Sequence, residues 1–266
     1  MYAFDYHRPS SVADAVAALK GADDGTFVAG GMTLIPTLKQ RLASPSDLVD
    51  LAALSDLKKL FVDRGGSVVV GALCTHAEVA ASDAVRSSIP ALADLAGGIG
   101  DAQVRNRGTI GGSIANNDPA ADYPAALLAL DATVHTDSRT IAAGDFFTGL
   151  FETALQDGEL ITEIRFPVPA KAAYAKFANP ASRYAIVGVM VAQTDDGVRV
   201  AVTGAGADGV FRATDIEQAL AGGLSTAAID GVAVSADGLN GDIHAAADYR
   251  AHLIKVMAKR AVAAIA

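Results

Sequence analysis

Two glycine-bearing loops, about eighty residues apart, constrain this chain more than any other feature: Ala29-Gly30-Gly31-Met32-Thr33-Leu34-Ile35-Pro36 and Thr109-Ile110-Gly111-Gly112-Ser113-Ile114-Ala115-Asn116. Paired glycines place a backbone where it turns sharply or is closely approached, because no Cβ obstructs it. Successive N–H groups can then converge on an anion, so two such loops can hold one diphosphate from both sides without a lysine or an arginine.

The surrounding pattern places both loops between regular elements. Ser10 or Ser11 can cap a helix with the apolar face Val12, Ala15, Val16 and Leu19, closed by Gly21. Thr26 to Ala29 reads as a short buried strand, and Leu34, Leu38 and Leu42 keep helical spacing beyond the first loop, with Lys39 and Arg41 near the end to complement the dipole. Asp47 to Leu51 is a further strand, which closes a first unit near residue 56. In the next unit Val68 to Val70 is a strand, Thr75-His76-Ala77-Glu78 a capping box, and Ile89 to Gly100 a helix stopped by its glycines. Asp101 to Arg107 reads as a polar turn, Tyr123 to Leu130 as a helix, and Ala132 to Thr136 and Leu160 to Phe166 as strands.

Pro167 and Pro169 mark a boundary, dividing residues 1–167, in lobes of about 1–56 and 57–167, from 168–266. Beyond it, Tyr174 to Phe177, Ala185 to Gln193 and Val198 to Thr203 predict three antiparallel strands, the last two joined at Asp195-Asp196-Gly197. Thr214-Asp215-Ile216-Glu217 reads as another capping box, and Tyr249 to Ala266 as a helix. The expected class is α+β, a two-lobed domain followed by a smaller one of three strands covered by helices.

Composition narrows the function. A net charge of −9 offers no basic face for nucleic acid or an anionic membrane. The single cysteine, Cys74, excludes a disulfide framework and any cluster held by four cysteines of this chain. The opening segment has no basic and apolar leader pattern and no apolar run is long enough for a membrane span, so a cytoplasmic setting is expected. No histidine pair has metal-ligand spacing, and neither a metal site nor a catalytic base or nucleophile is expected. Gly204-Ala205-Gly206-Ala207-Asp208-Gly209 is a literal G-x-G-x-x-G, but Val210 to Ala213 separate it from the next helix, so it reads as a plain connection.

Ala29-Gly30-Gly31-x-Thr33-Leu34-x-Pro36, Thr109-Ile110-Gly111-Gly112 and Asp118-Pro119-Ala120-Ala121-Asp122 together resemble the flavin loops of the FAD-binding medium subunit of the molybdenum hydroxylases. The likeness runs end to end, through Tyr174-x-Lys176-Phe177, Ala181-Ser182-Arg183-Tyr184-Ala185 and Tyr249-Arg250-x-His252-Leu253. This family includes carbon monoxide dehydrogenase and xanthine dehydrogenase. The resemblance implies a two-lobed FAD domain of the PCMH type and an electron-transfer role. Partners would be a large molybdopterin subunit and a small subunit with two [2Fe-2S] clusters, as a dimer of heterotrimers passing electrons to NAD+, a quinone or dioxygen.

The resemblance also implies the cofactor contacts: Val28, Ala29, Gly30, Gly31, Met32, Thr33 and Leu34 from the first loop, and Gly108, Thr109, Gly111, Gly112, Ser113, Ala115 and Asn116 from the second. Gly30 to Leu34 and Thr109 to Gly112 would offer N–H groups to the diphosphate, with hydroxyls from Thr33 and Thr109. Asp122 would accept from cofactor hydroxyls, or else cap the helix from Tyr123; Lys176 would lie by the flavin, or else be a solvated strand lysine. Ile99 and Tyr184 would face the isoalloxazine or belong to the core, and Leu160 completes the set. Met32 and Ser113 depart from the family pattern and leave the backbone to carry the grip. The competing functions are a stand-alone flavin oxidoreductase and a binding module that has lost FAD.

Overall fold

The computed structural model describes residues 1–265, in three packed bodies. The first contains β1 (Asp5–His7), α1 (Val12–Lys20), β2 (Gly25–Val28), α2 (Leu34–Lys39) and β3 (Asp47–Asp50), with a parallel sheet in the order β1-β3-β2. Ser11 is the cap of α1, its hydroxyl accepting from Asp14 N–H at 3.1 Å. The first glycine loop lies between the end of β2 and α2, as its spacing predicts. α2 is shorter than the leucine spacing implies: Arg41 adopts φ 59° and Leu42 N–H returns to the Thr37 carbonyl, a left-handed helix stop. Leu42 is therefore 73% exposed, and of the two basic residues only Lys39 lies in the last turn.

The second body holds β4 (Leu60–Val62), β5 (Val68–Gly71), α3 (His76–Ala81), α4 (Asp83–Ser88), α5 (Pro90–Gly97), α6 (Ala102–Arg105), α7 (Ile110–Asn116) and α8 (Tyr123–Ala129). It continues through β6 (Thr133–Thr136), β7 (Thr140–Ala142), α9 (Ala143–Phe146), the hairpin β8 (Phe147–Gly149) and β9 (Glu152–Thr153), and β10 (Ile161–Phe166). Its antiparallel sheet runs β4-β5-β10-β6-β7. The Thr75 capping box is present, with Glu78 N–H on the threonine hydroxyl and Thr75 N–H on the glutamate. The helix expected over Ile89 to Gly100 begins only at Pro90, because a residue before proline is held out of the helical region. The expected turn at Asp101 to Arg107 contains one helical turn, α6, with Val104 N–H on Asp101 at 2.9 Å. α8 is buried on every side, which accounts for its alanine and leucine content.

The third body is β11 (Lys171–Ala178), β12 (Ala185–Thr194), β13 (Gly197–Thr203), β14 (Phe211–Arg212), α10 (Thr214–Leu220) and α11 (Ala247–Ile265). The expected three-stranded meander has a fourth short strand, so the antiparallel sheet runs β11-β12-β13-β14. In β12 alternate residues serve two cores: Val187, Val189 and Val191 pack with α11, while Met190 and Ala192 join the core that contains α8. Covering both faces welds this sheet to the second body. The box expected at Thr214 is absent, since Glu217 is drawn to Arg212 and to Val200 N–H instead. The last residue of the expected C-terminal helix, Ala266, lies outside the described residues. Gly204 to Gly209 forms a turn tied to the segment at Leu239, with no role at the cleft described below. Among the described residues no helix is long and apolar enough to cross a membrane.

Candidate functional site

The two glycine loops meet. A β-carbon on Gly30 would lie 2.0 Å from the Arg107 carbonyl oxygen, and one on Gly112 would come against Ala29. Gly31, at φ 72°, then turns the chain into α2. The loops differ in what they offer. Among the described residues, none accepts from the backbone N–H of Gly31, Met32, Thr33 or Leu34. In the second loop, Ile110 N–H is on the Cys74 carbonyl, Gly111 N–H on the Ala72 carbonyl and Gly112 N–H on the Thr109 hydroxyl. The two loops are thus not equivalent, as the expected grip had them: the N–H groups of the first are without protein acceptors, whereas those of the second are taken by the segment that follows β5 and by Thr109. The Thr109 hydroxyl accepts there, and among the described residues none accepts its proton.

Together the loops form one end of a cleft of about 570 Å³, within the usual range for a cofactor site. Val28, Ala29, Gly30, Gly31, Met32, Thr33, Leu34, Ile99, Gly108, Thr109, Gly111, Gly112, Ser113, Ala115, Asn116, Asp122, Leu160 and Tyr184 all line it. Lys176 does not. It stands behind Asp122, with its ammonium 2.9 Å from Asp122 Oδ1 and donating to the Gly98 and Arg183 carbonyls at 2.8 and 3.1 Å. Its side chain is 10% exposed, so the solvated-lysine reading is excluded. Asp122 makes no helix cap, and the capping alternative falls with it. Burial raises the Asp122 carboxyl, opposed by Lys176 and by the Tyr174 phenol 2.6 Å away.

Tyr184 is 48% exposed on the cleft rim rather than in the core. Burial of its phenol, with Asp118 and Asp122 nearby, pushes that group up from its ordinary value. At another wall, Glu159 precedes Leu160 and is clamped by Arg139 at 2.8 Å through both carboxylate oxygens, which draws it down to about 2. His76, Gly100, Val104, Asp118 and Arg183 also line the cleft, although spacing did not single them out. Asp118 and Arg183 lay inside the quoted motifs. His76 was hidden by its place in a capping box: burial pulls its imidazole down to about 4, and its Nδ1 has no partner. Among the described residues no group of three acidic, histidine or cysteine side chains could hold a metal.

Free N–H groups, a threonine hydroxyl and a buried carboxylate fit the diphosphate and hydroxyls of a flavin dinucleotide. Residues 2–169 match the family described as the FAD binding domain in molybdopterin dehydrogenase. The chain is 37% identical, over 97% of its length and 95% of the relative's, to the carbon monoxide dehydrogenase medium chain of Afipia carboxidovorans. It is 36% identical to the nicotine 6-hydroxylase medium subunit of Paenarthrobacter nicotinovorans, covering 98% and 96% of the two chains. A chain of the Cu,Mo-CO dehydrogenase crystal structure, cyanide-inactivated form, superposes with a TM-score of 0.91 at 36% identity, over 98% of this chain and 97% of that one. A chain of quinoline 2-oxidoreductase from Pseudomonas putida 86 gives 0.89 at 29% identity, over 99% and 97%. The free first loop, the anchored second loop and the agreement over the whole chain have one common meaning: this chain belongs to the FAD-binding medium-chain flavoproteins of the molybdenum hydroxylases.

Proposed function

We propose that this chain is the electron-transfer subunit of a heteromeric molybdenum hydroxylase, with residues 1–167 as its FAD-binding unit and 168–266 as a buttress that completes the cleft. The observation that carries the reading is the free N–H run from Gly31 to Leu34 facing the anchored loop at Thr109. FAD supplies the exchange between one-electron and two-electron carriers that such an enzyme needs. The residues of this chain bind and orient it. Gly31 to Leu34 and Thr109 hold the diphosphate, Asp122 accepts from hydroxyls, and Ile99 and Tyr184 face the ring, with Leu160 lining the cleft and Lys176 supporting Asp122 from behind.

The partners are a large molybdopterin subunit and a small [2Fe-2S] subunit, in a dimer of heterotrimers, and the final acceptor is NAD+, a quinone or dioxygen. Chemistry on the organic substrate belongs to the large subunit. Native purification with metal analysis tests this: molybdenum and iron in fixed proportion to flavin are expected. A protein isolated alone that oxidises an organic substrate without molybdenum would overturn it.

A further inference from the structure

Asp122 shows an asymmetry that the cofactor contacts alone do not require. Both of its protein donors, the Tyr174 phenol at 2.6 Å and the Lys176 ammonium at 2.9 Å, engage the same oxygen, Oδ1. Among the described residues none donates to Oδ2, and that atom is not among the fully enclosed polar atoms lacking a partner. Asp122 lines the cleft, and Oδ2 is its oxygen left without a protein donor. A carboxylate with one oxygen locked by two donors presents the other as an acceptor in a fixed direction.

The phenol reaches Oδ1 because of a glycine. Tyr174 on β11 pairs with Met190 on β12, and its hydroxyl occupies the space where Gly188 would carry a side chain; a β-carbon there would lie 2.2 Å from that oxygen. Lys176 is two residues along the same strand, on the same face. The other ionisable groups around Asp122 include the phenols of Tyr123 and Tyr184, both raised first by burial, then by the charge of Asp122 on Tyr123 and of Asp118 and Asp122 on Tyr184. None of these donates to Asp122.

We infer that Tyr174, admitted by Gly188, is a positioning residue for the cofactor site: with Lys176 it clamps Asp122 Oδ1 and aims Oδ2 at a ligand hydroxyl. The inference rests on FAD occupying the cleft. It gives the third body a defined part in binding, since both clamp donors come from β11 and not from the glycine-loop body.

The test is a double-mutant cycle on FAD affinity, read by flavin fluorescence on the purified full chain stripped of flavin. Tyr174→Phe is expected to weaken FAD about tenfold, the scale of a hydrogen bond to a charged group. In an Asp122→Asn background the same change is expected to cost less than about twofold, because the group it positions is gone. Gly188→Ala, which displaces the phenol without removing it, is expected to reproduce both results. Equal losses with and without Asp122 would overturn the inference and leave Tyr174 a packing residue. A wild-type chain that takes up no FAD would overturn the reading beneath it instead.

Discussion

Gly30 and Arg107 are in contact through backbone alone: the space a Gly30 side chain would fill is occupied by the Arg107 carbonyl oxygen, 2.0 Å from the ideal β-carbon position. Gly30→Ala must therefore push the two loops apart. We expect a loss of about 1–3 kcal/mol in stability from the overlap and a loss of FAD affinity larger than that of Ser113→Asn, which changes a side chain only. Urea denaturation and flavin titration of both variants check this.

His76 makes stability depend on pH. Its folded value of about 4 lies below the ordinary 6.5, so the unfolded chain binds the proton more readily. The stability present above pH 6.5 is then lost as pH falls from about 6.5 to about 4, amounting to about 3 kcal/mol. Unfolding curves at pH 7 and pH 4.5 should show this slope, and His76→Gln should flatten it.

Glu159 acts in a lower window. Arg139 and neighbouring donors hold its carboxyl near 2, below the ordinary 4.5, so its contribution is present above about pH 4.5 and is lost as pH falls toward 2. Arg139 is itself 40% exposed, and solvent screening limits the effect to about 1–2 kcal/mol. Arg139→Ala should lower stability at pH 7, and the difference from wild type should shrink steadily in acid. Melting temperatures across pH 2.5 to 7 measure it.

Arg250 is 3% exposed and donates to the Ile186 and Gly204 carbonyls at 2.6 and 2.7 Å, and to Asp242. Replacing it with methionine keeps the volume but strands two buried carbonyls, which should cost about 2–4 kcal/mol. Chemical denaturation reads the loss. Removing the partnerless Tyr123 hydroxyl by Tyr123→Phe should instead change stability by less than about 1 kcal/mol.

Most local elements and the position of both glycine loops could be read along the chain. Ser11, Thr75 and the Val68–Val70 run act within a few residues of themselves, and glycine pairs announce themselves without a fold around them. Which partner each group bonds there follows from packing between distant segments. The N–H groups of Ile110 and Gly111 look as free as those of Gly31 until Cys74 and Ala72 of the neighbouring segment take them. Lys176 and Asp122 are 54 positions apart, so no local pattern could show that one stands behind the other. Glu217 follows the capping pattern, yet Arg212 and Val200 N–H offer it charge-assisted partners that the helix end cannot match. Spacing along the chain fixes short-range hydrogen bonds, whereas the partners of a buried donor or carboxylate are chosen by whichever distant segment packing brings within 3 Å.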